Sequence, residues 1–272
     1  MHIVVNGANL LVDQSGNAAG MPVVFIHGFP FSHAMWDAQV QAAGRFFRTV
    51  AYDIRGHGMS DVGDGQYTIE GHVDDLFALL TALDIDRPVI VGLSMGGYIA
   101  LRALERDQTR FCAAVLCDTR SEADSNEAKL KRFAAAGEVK RSGSEAFAKE
   151  FTGVVFAPGA EDRIPEAVQK IRSIIAHTPP LSIAGTQLAL ASRTDTTAAL
   201  PSFNLPVLIL VGEHDRTTPV TAAEAMHAQI PGSQLFVVPR AAHMSNLENP
   251  EFFNARLMRF LEEVNQRSAR GA

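Results

Sequence analysis

The chain has 272 residues, of which 47% are hydrophobic and 20% charged, so it can form one large α/β domain with a substantial core. Its net charge of −6 argues against nucleic acid and against an anionic membrane as partners. No secretory signal pattern opens the sequence, and no apolar run is long enough to span a bilayer. We therefore expect a cytoplasmic protein, a monomer or small homo-oligomer, with its two cysteines as free thiols.

The first elements in chain order are two short strands joined into a hairpin by an Asn-Gly-Ala-Asn turn, at Ile3–Asn6 and Leu10–Asp13. Strands then alternate with helices, which is typical of a mostly parallel sheet covered on both faces. Further strands are predicted at Val23–Ile26, Thr49–Asp53, Pro88–Leu93, Phe111–Cys117, Val207–Gly212 and Leu235–Val238. Helices of this layer are predicted at Met35–Ala43, Ile69–Leu83, Met95–Arg106, Val220–Gln229 and Pro250–Val264.

The alternation stops between residues 121 and 200, where the sole strand-like run is a short apolar piece at Val154–Phe156. Helices are predicted there at Asn126–Ala136, Ser144–Phe151, Glu166–His177 and Leu181–Ser192. We therefore divide the chain into a core of residues 1–120 and 201–272 and a helical cap of residues 121–200, inserted after strand six. The charged residues at the start of the cap are predicted to form a solvated face: Arg120, Glu122, Asp124, Glu127, Lys129, Lys131 and Arg132.

A serine between two glycines follows the strand that ends at Leu93, in the sequence Gly-Leu-Ser-Met-Gly from Gly92 to Gly96. A strand before this G-x-S-x-G motif and a helix after it distinguish a nucleophile elbow from a chance match. Glycine is needed at both ends because a side chain there would collide with the neighbouring strand or helix. A serine hydroxyl is unreactive at neutral pH without a base, so Ser94 requires a histidine and a carboxylate elsewhere in the chain.

Candidates for both groups follow the last two predicted strands. Asp215 comes after the buried run that ends at Gly212, and we assign it as the acid that orients the base. His243 comes after the run that ends at Val238, and we assign it as the general base. Their order along the chain, serine, acid and then histidine, is the order found in α/β hydrolases.

Alternatives for these two roles lie close by in the sequence. Glu213 is two residues before Asp215, and Asp118 follows a neighbouring strand. His214 competes with His243 and is expected to be structural or exposed.

The oxyanion hole is predicted from two backbone amides. One is the N–H of Met95, directly after the serine. The other comes from the turn His27-Gly28-Phe29-Pro30 and is assigned to Phe29, with Gly28 as the alternative, because Pro30 has no N–H. His27 is expected to brace this turn by hydrogen bonding.

These motifs resemble those of the α/β-hydrolase superfamily, and the resemblance covers nearly the whole chain. The loop Ala51–Ser60 and the segment Ala242–Pro250 also match, and Leu116–Arg120 supports a narrower similarity to small bacterial carboxylesterases and 3-oxoadipate enol-lactonase-like enzymes. The resemblance implies an α/β-hydrolase fold with a mostly parallel eight-stranded sheet. It also implies hydrolysis of short-chain carboxylic esters through an acyl-enzyme on Ser94.

Other activities remain open on the same residues. An enol-lactonase or a cofactor-free perhydrolase or haloperoxidase would keep the triad, as hydroxynitrile lyases and carbon–carbon bond hydrolases do. Haloalkane dehalogenases and epoxide hydrolases use an aspartate nucleophile, against which Ser94 argues. A ligand receptor, in which turnover is incidental, is a further alternative from a different class of function.

The expected partner is a small-molecule ester or lactone. A dicarboxylic lactone would need a cation in the cap, for which the candidates are Arg120, Arg163, Arg172 and Arg193. We expect no metal and no cofactor, because the sequence carries no ligand cluster with metal spacing and no dinucleotide motif.

Overall fold

A computed structural model describes the backbone of residues 1–271 and the side chains of residues 1–267. Within this part of the chain the strands are β1 (His2–Val5), β2 (Ala8–Gly16), β3 (Pro22–Ile26), β4 (Arg48–Tyr52), β5 (Val89–Leu93), β6 (Ala113–Cys117), β7 (Val207–Gly212) and β8 (Gln234–Val238). They form one sheet in the order β1-β2-β4-β3-β5-β6-β7-β8. The predicted mostly parallel, eight-stranded sheet is confirmed, with antiparallel pairing confined to β1 with β2 and β2 with β4.

The central strands are apolar along their whole length because helices cover both faces of the sheet. Every residue of β5, β6 and β7 is buried, and these strands consist largely of valine, isoleucine, leucine and alanine. The edge strand β8 is partly exposed. The parallel strands therefore end at a common carboxyl edge, which is where ligands bind in folds of this kind.

Ten α-helices are found among the described residues. They are α1 (Asp37–Ala43), α2 (Ile69–Ala82), α3 (Met95–Asp107), α4 (Asn126–Val155), α5 (Ala160–Arg163), α6 (Pro165–His177), α7 (Pro180–Ala191), α8 (Val220–Gln229), α9 (Ser245–Glu248) and α10 (Pro250–Gly271). Local signals start several of them: Thr68 and Ser125 accept hydrogen bonds from the third residue of α2 and α4, respectively. The apolar face predicted for the last helix is buried, from Phe253 at 0% exposure to Val264 at 3%.

The segment between β6 and β7 is helical, from α4 to α7, and α4 packs against α6 and α7. The two helices predicted at residues 126–136 and 144–151 are present, but they are longer than predicted: together they form α4, which runs to residue 155 and is interrupted by a kink at Gly143. The φ of Gly143 is 83°, which a residue with a side chain rarely adopts. The apolar piece at residues 154–156 therefore ends a helix and forms no strand. The exact limits of the cap as a domain stay a prediction.

Smaller corrections concern element ends. The opening hairpin turns at Asn6 and Gly7 alone, both with positive φ (46° and 75°), so β2 starts earlier than predicted. Strand β6 begins after Cys112, and both cysteines are free. The helix predicted from Met35 is a 3₁₀ turn over residues 33–36 followed by α1.

Candidate active site

Ser94 lies on a sharp turn between β5 and α3, with φ 54° and ψ −112°, a backbone conformation that non-glycine residues seldom adopt. The two glycines of the motif make this turn sterically possible. A Cβ on Gly92 would lie 2.3 Å from the carbonyl oxygen of Gly96, and one on Gly96 would lie 2.1 Å from that of Ile26. The turn is thus the strained elbow that the sequence predicts.

Asp215 and His243, predicted as acid and base, are brought together after β7 and β8. Nδ1 of His243 donates to Oδ2 of Asp215 at 2.8 Å, and both side chains are almost fully buried. Oδ2 also accepts from the Thr218 hydroxyl at 2.7 Å, while Oδ1 accepts from the amides of Thr217 and Thr218 at 2.8 and 3.0 Å. Burial acts to raise the pKa of Asp215, but the His243 charge and these hydrogen bonds leave that pKa below its ordinary value.

Ser94 lies at the same edge of the sheet as this pair. Its amide donates to the Cys117 carbonyl at 2.9 Å, and the Asp118 amide donates to the Leu210 carbonyl at 2.8 Å, so hydrogen bonds link the ends of β5, β6 and β7. No hydrogen bond of the described residues joins Ser94 Oγ to His243. Such catalytic bonds are often long without substrate and tighten in the reacting complex.

The backbone amides of Phe29 and Met95, the predicted oxyanion donors, have no acceptor within the described chain, and neither does that of Gly28, the alternative donor. The close approach of Gly96 to Ile26 brings the first turn of α3 against the end of β3, directly before the loop that carries Phe29.

His27 braces this loop, as the sequence analysis expected. Its Nε2 accepts from the Ile54 amide at 2.9 Å, so the proton is on Nδ1, which donates to the Gly28 carbonyl at 2.8 Å. Burial lowers the pKa of His27 to about 4, so the imidazole is neutral at physiological pH. These two hydrogen bonds hold the ring in the turn and occupy both of its nitrogens.

Two further imidazoles are fully buried near His27, and they make stability sensitive to acid. Burial lowers the pKa of His57 and of His72 to about 3 in each case. The unfolded chain binds these protons near pH 6.5, so stability is fully present above that pH and is lost as pH falls toward the folded pKa.

We expect His72→Leu to remove one of these protons from the unfolding reaction. Between pH 6 and 4, the free energy of unfolding of the unaltered protein should fall more steeply than that of the variant, by about 1.4 kcal/mol per pH unit. Urea unfolding at several pH values measures both slopes. His227→Gln, at an exposed histidine, is the control and should keep the original slope; equal slopes for His72→Leu would contradict the buried neutral state.

The alternative acids, Asp118 and Glu213, and the alternative base, His214, form no hydrogen bond or ion pair with His243. Asp118 accepts from the Gly212 amide at 2.8 Å and from the Ser245 hydroxyl. Burial and the charge of Asp215 raise the pKa of Asp118 well above its ordinary value, which favours the neutral acid. The Glu213 side chain accepts from the Arg240 amide at 2.9 Å, and both Glu213 and His214 are about half exposed (49% and 51%).

All four arginines considered as carboxylate binders already form ion pairs: Arg120 with Glu122, Arg163 with Glu248, Arg172 with Glu161, and Arg193 with Asp124. Arg193 is buried, with its guanidinium 4.4 Å from the centre of the Tyr98 ring. Asp124 also pairs with Arg132, so the expectation that these two belong to a solvated face was wrong. Sequence reasoning missed this cluster because Arg193 lies 69 residues beyond Asp124.

The second half of α4 places two aromatic rings against the predicted oxyanion loop. The rings of Phe147 and Phe151 lie 6.1 and 5.7 Å from that of Phe29, centre to centre, and Thr178 donates to the Pro30 carbonyl at 3.3 Å. Both rings are only half-buried. This part of the cap therefore forms an apolar wall beside the loop.

Comparison with known proteins decides the family. The sequence model of the α/β hydrolase fold family matches residues 21–250. The chain belongs to that family. This α/β hydrolase is 30% identical to 3-oxoadipate enol-lactonase 1 of Acinetobacter baylyi, with 95% of each chain covered. It is 31% identical to a putative non-heme chloroperoxidase of Synechocystis, over 94% of this chain and 97% of the other.

Among solved structures, this α/β hydrolase is similar to a thermophilic esterase from Thermogutta terrifontis whose structure has malate bound. The TM-score is 0.92 at 35% identity, over 97% of this chain and 99% of the other. Family and relatives together support a hydrolase. None of the helices in the described part of the chain is long and apolar enough to cross a membrane.

Proposed function

We propose that the protein is a serine hydrolase that cleaves carboxylic esters through an acyl-enzyme, with Ser94, His243 and Asp215 as its triad. The observation that carries this proposal is the buried 2.8 Å hydrogen bond between His243 and Asp215, at the edge of the sheet that also holds Ser94 on its strained turn. An imidazole fixed at Nδ1 by a carboxylate presents Nε2 as a base, as a triad requires.

The reaction proceeds in two half-cycles. Ser94 Oγ attacks the ester carbonyl carbon while His243 Nε2 takes the hydroxyl proton. The amides of Phe29 and Met95 donate to the oxyanion, and His243 returns the proton to the leaving alcohol. Water, deprotonated by the same imidazole, then attacks the acyl-enzyme, and release of the acid restores Ser94. Asp215 stabilises the imidazolium in both halves without taking up its proton.

The substrates we propose are esters with a short, uncharged acyl group. The apolar wall of Phe147 and Phe151 favours hydrocarbon over charge. The four arginines considered for carboxylate binding are already paired within the chain, which disfavours a dicarboxylate. The Thermogutta terrifontis relative is described as an esterase, which also supports this choice.

Enol-lactone hydrolysis is the second candidate, favoured by the similarity to the Acinetobacter baylyi enol-lactonase over 95% of the chain. Perhydrolysis, in which peroxide replaces water at the acyl-enzyme, has comparable support from the Synechocystis relative. Neither reaction changes the role of the three triad residues.

A substrate panel distinguishes these activities. We expect p-nitrophenyl esters of two to four carbons to give higher kcat/KM than those of eight to twelve carbons, and higher than an enol-lactone with a free carboxylate. Faster turnover of the enol-lactone would assign the protein to the lactonases, and peracid formation exceeding hydrolysis would assign it to the perhydrolases. A single turnover followed by retained product would favour a receptor over an enzyme.

A further inference from the structure

A buried glutamate, Glu248, joins the loop of His243 to the end of the cap. Its side chain is 0% exposed, and Oε1 accepts from the amide of Ala242, the residue before His243, at 2.7 Å. Oε2 accepts from the amide of Ala157, just after α4, at 3.0 Å, and from the guanidinium of Arg163, at the end of α5, at 3.2 Å. The Glu248 carboxylate thus links the segment before His243 to the cap.

Arg163, which belongs to the cap, forms hydrogen bonds with two residues of the core. The same Nη2 that reaches Glu248 on the core also donates to the carbonyl of Arg240, three residues before His243, at 3.1 Å. Burial raises the pKa of Glu248, while the amides of Ala242 and Ala157 and the charge of Arg163 act to lower it. A buried carboxylate without such partners is costly, so these donors stabilise the arrangement as a unit.

Apolar packing does not replace these contacts. Beside them lies a cleft of about 500 Å³ between the cap and the two acid–base loops, lined by residues that include Ala157, Arg163, Asp215 and Arg240. Because side chains do not fill this seam, the polar contacts of Glu248 and Arg163 define how the histidine loop sits against the cap.

We propose that Glu248, together with Arg163, is a positioning residue that fixes His243. The position of His243 then depends on the contacts that residues 157–163 of the cap make with Glu248. This inference rests on the proposed function of His243 as the base. If residues 157–163 move away, Glu248 keeps one of its three donors and faces the cleft as a poorly paired charge. His243 is therefore held in place when residues 157–163 contact Glu248. A displacement of a catalytic group by about 1 Å can lower the rate by about 10².

The first test is Glu248→Gln, which keeps the shape of the side chain. An amide has one acceptor oxygen, and its NH₂ group would face either Ala242 or the donors of the cap. We expect kcat for a short ester to fall by about 10- to 100-fold with KM within about twofold of the unaltered value. Arg141→Met is the control, because Arg141 is a cap arginine whose partner Glu138 lies on the same helix; its kcat should not change.

The second test uses the pH dependence of kcat/KM. In Arg163→Met, loss of a positive charge alone would raise the apparent pKa of the base. Loss of positioning would lower that pKa, because the imidazolium would be less well held by Asp215. We expect a lower apparent pKa and a reduced kcat, and we expect Arg163→Lys to restore most of both.

Glu248→Gln with unaltered kcat and pH profile and only a lower melting temperature would overturn the proposal. A raised or unchanged pKa in folded Arg163→Met would also overturn it, and this arm decides if Glu248→Gln does not fold. Failure of the proposed function is a separate result, since the unaltered protein would then show no Ser94-dependent ester hydrolysis at all.

Discussion

Ser94→Ala should lower kcat for p-nitrophenyl acetate by about 10⁶ if the three triad residues act as a unit. The change removes the one oxygen that forms the acyl-enzyme and leaves the neighbouring backbone in place. Alanine can keep the same turn, because the close approaches in the elbow are made by Gly92 and Gly96. What remains should be the small rate enhancement from the oxyanion donors and binding, about 10³–10⁴ over water.

Initial rates at saturating ester, together with far-UV circular dichroism and the melting temperature, measure this effect. Ser121→Ala is a suitable control, since it removes the hydroxyl of another buried serine. This hydroxyl is hydrogen-bonded to Thr197, where the beginning and the end of the cap meet. This variant should keep the original kcat. Near-normal turnover by folded Ser94→Ala would disprove a serine mechanism.

Asp215→Asn should lower kcat by about 10⁴. Both carboxylate oxygens are used: Oδ1 accepts from two backbone amides, and Oδ2 accepts from His243 and the Thr218 hydroxyl. An amide supplies one acceptor oxygen, so its NH₂ group must face one of these two sets of donors. If the oxygen stays with the backbone amides, His243 can pair only through an unprotonated Nδ1, which places the proton on Nε2 and prevents it from acting as a base.

Asp118→Asn provides the matched comparison, because Asp118 is a buried aspartate at the end of the neighbouring strand. Its carboxyl contacts Gly212 and Ser245 and does not contact His243, and its raised pKa favours a neutral group that asparagine resembles. We expect at most about a tenfold loss of kcat, since Asp118 affects the position of the triad only indirectly. A larger loss for Asp118→Asn than for Asp215→Asn would reverse the assignment of the acid.

The sequence alone allowed the central sheet and the three candidate triad residues to be predicted, for a physical reason. Strands such as β5 and β7 are buried on both faces, so their apolar runs are continuous and their ends are clear. Functional groups of open α/β sheets lie beyond the carboxyl ends of the strands, so Ser94, Asp215 and His243 could be identified by their positions in the segments after Leu93, Gly212 and Val238.

The features that sequence could not predict depend on distant or very short elements. Helices α5 and α9 have four residues each, too few to show periodicity. Glu248 and Ala157 are 91 residues apart, so nothing local to either residue signals their contact. The division of the apolar cap residues was also hidden: Ile171 and Ile175 are fully buried, Leu181 and Leu188 are exposed, and Phe147 and Phe151 lie beside the predicted oxyanion loop.

Covalent labelling of the nucleophile tests the central claim most directly. The protein would be treated with a fluorophosphonate, which reacts with activated serines, and examined by intact-mass and peptide mass spectrometry while ester hydrolysis is followed. We predict one adduct per chain, located on Ser94, that accumulates in proportion to the loss of activity and does not form on Ser94→Ala. Complete inactivation with the adduct on another residue, or full ester turnover by protein labelled at Ser94, would contradict the account.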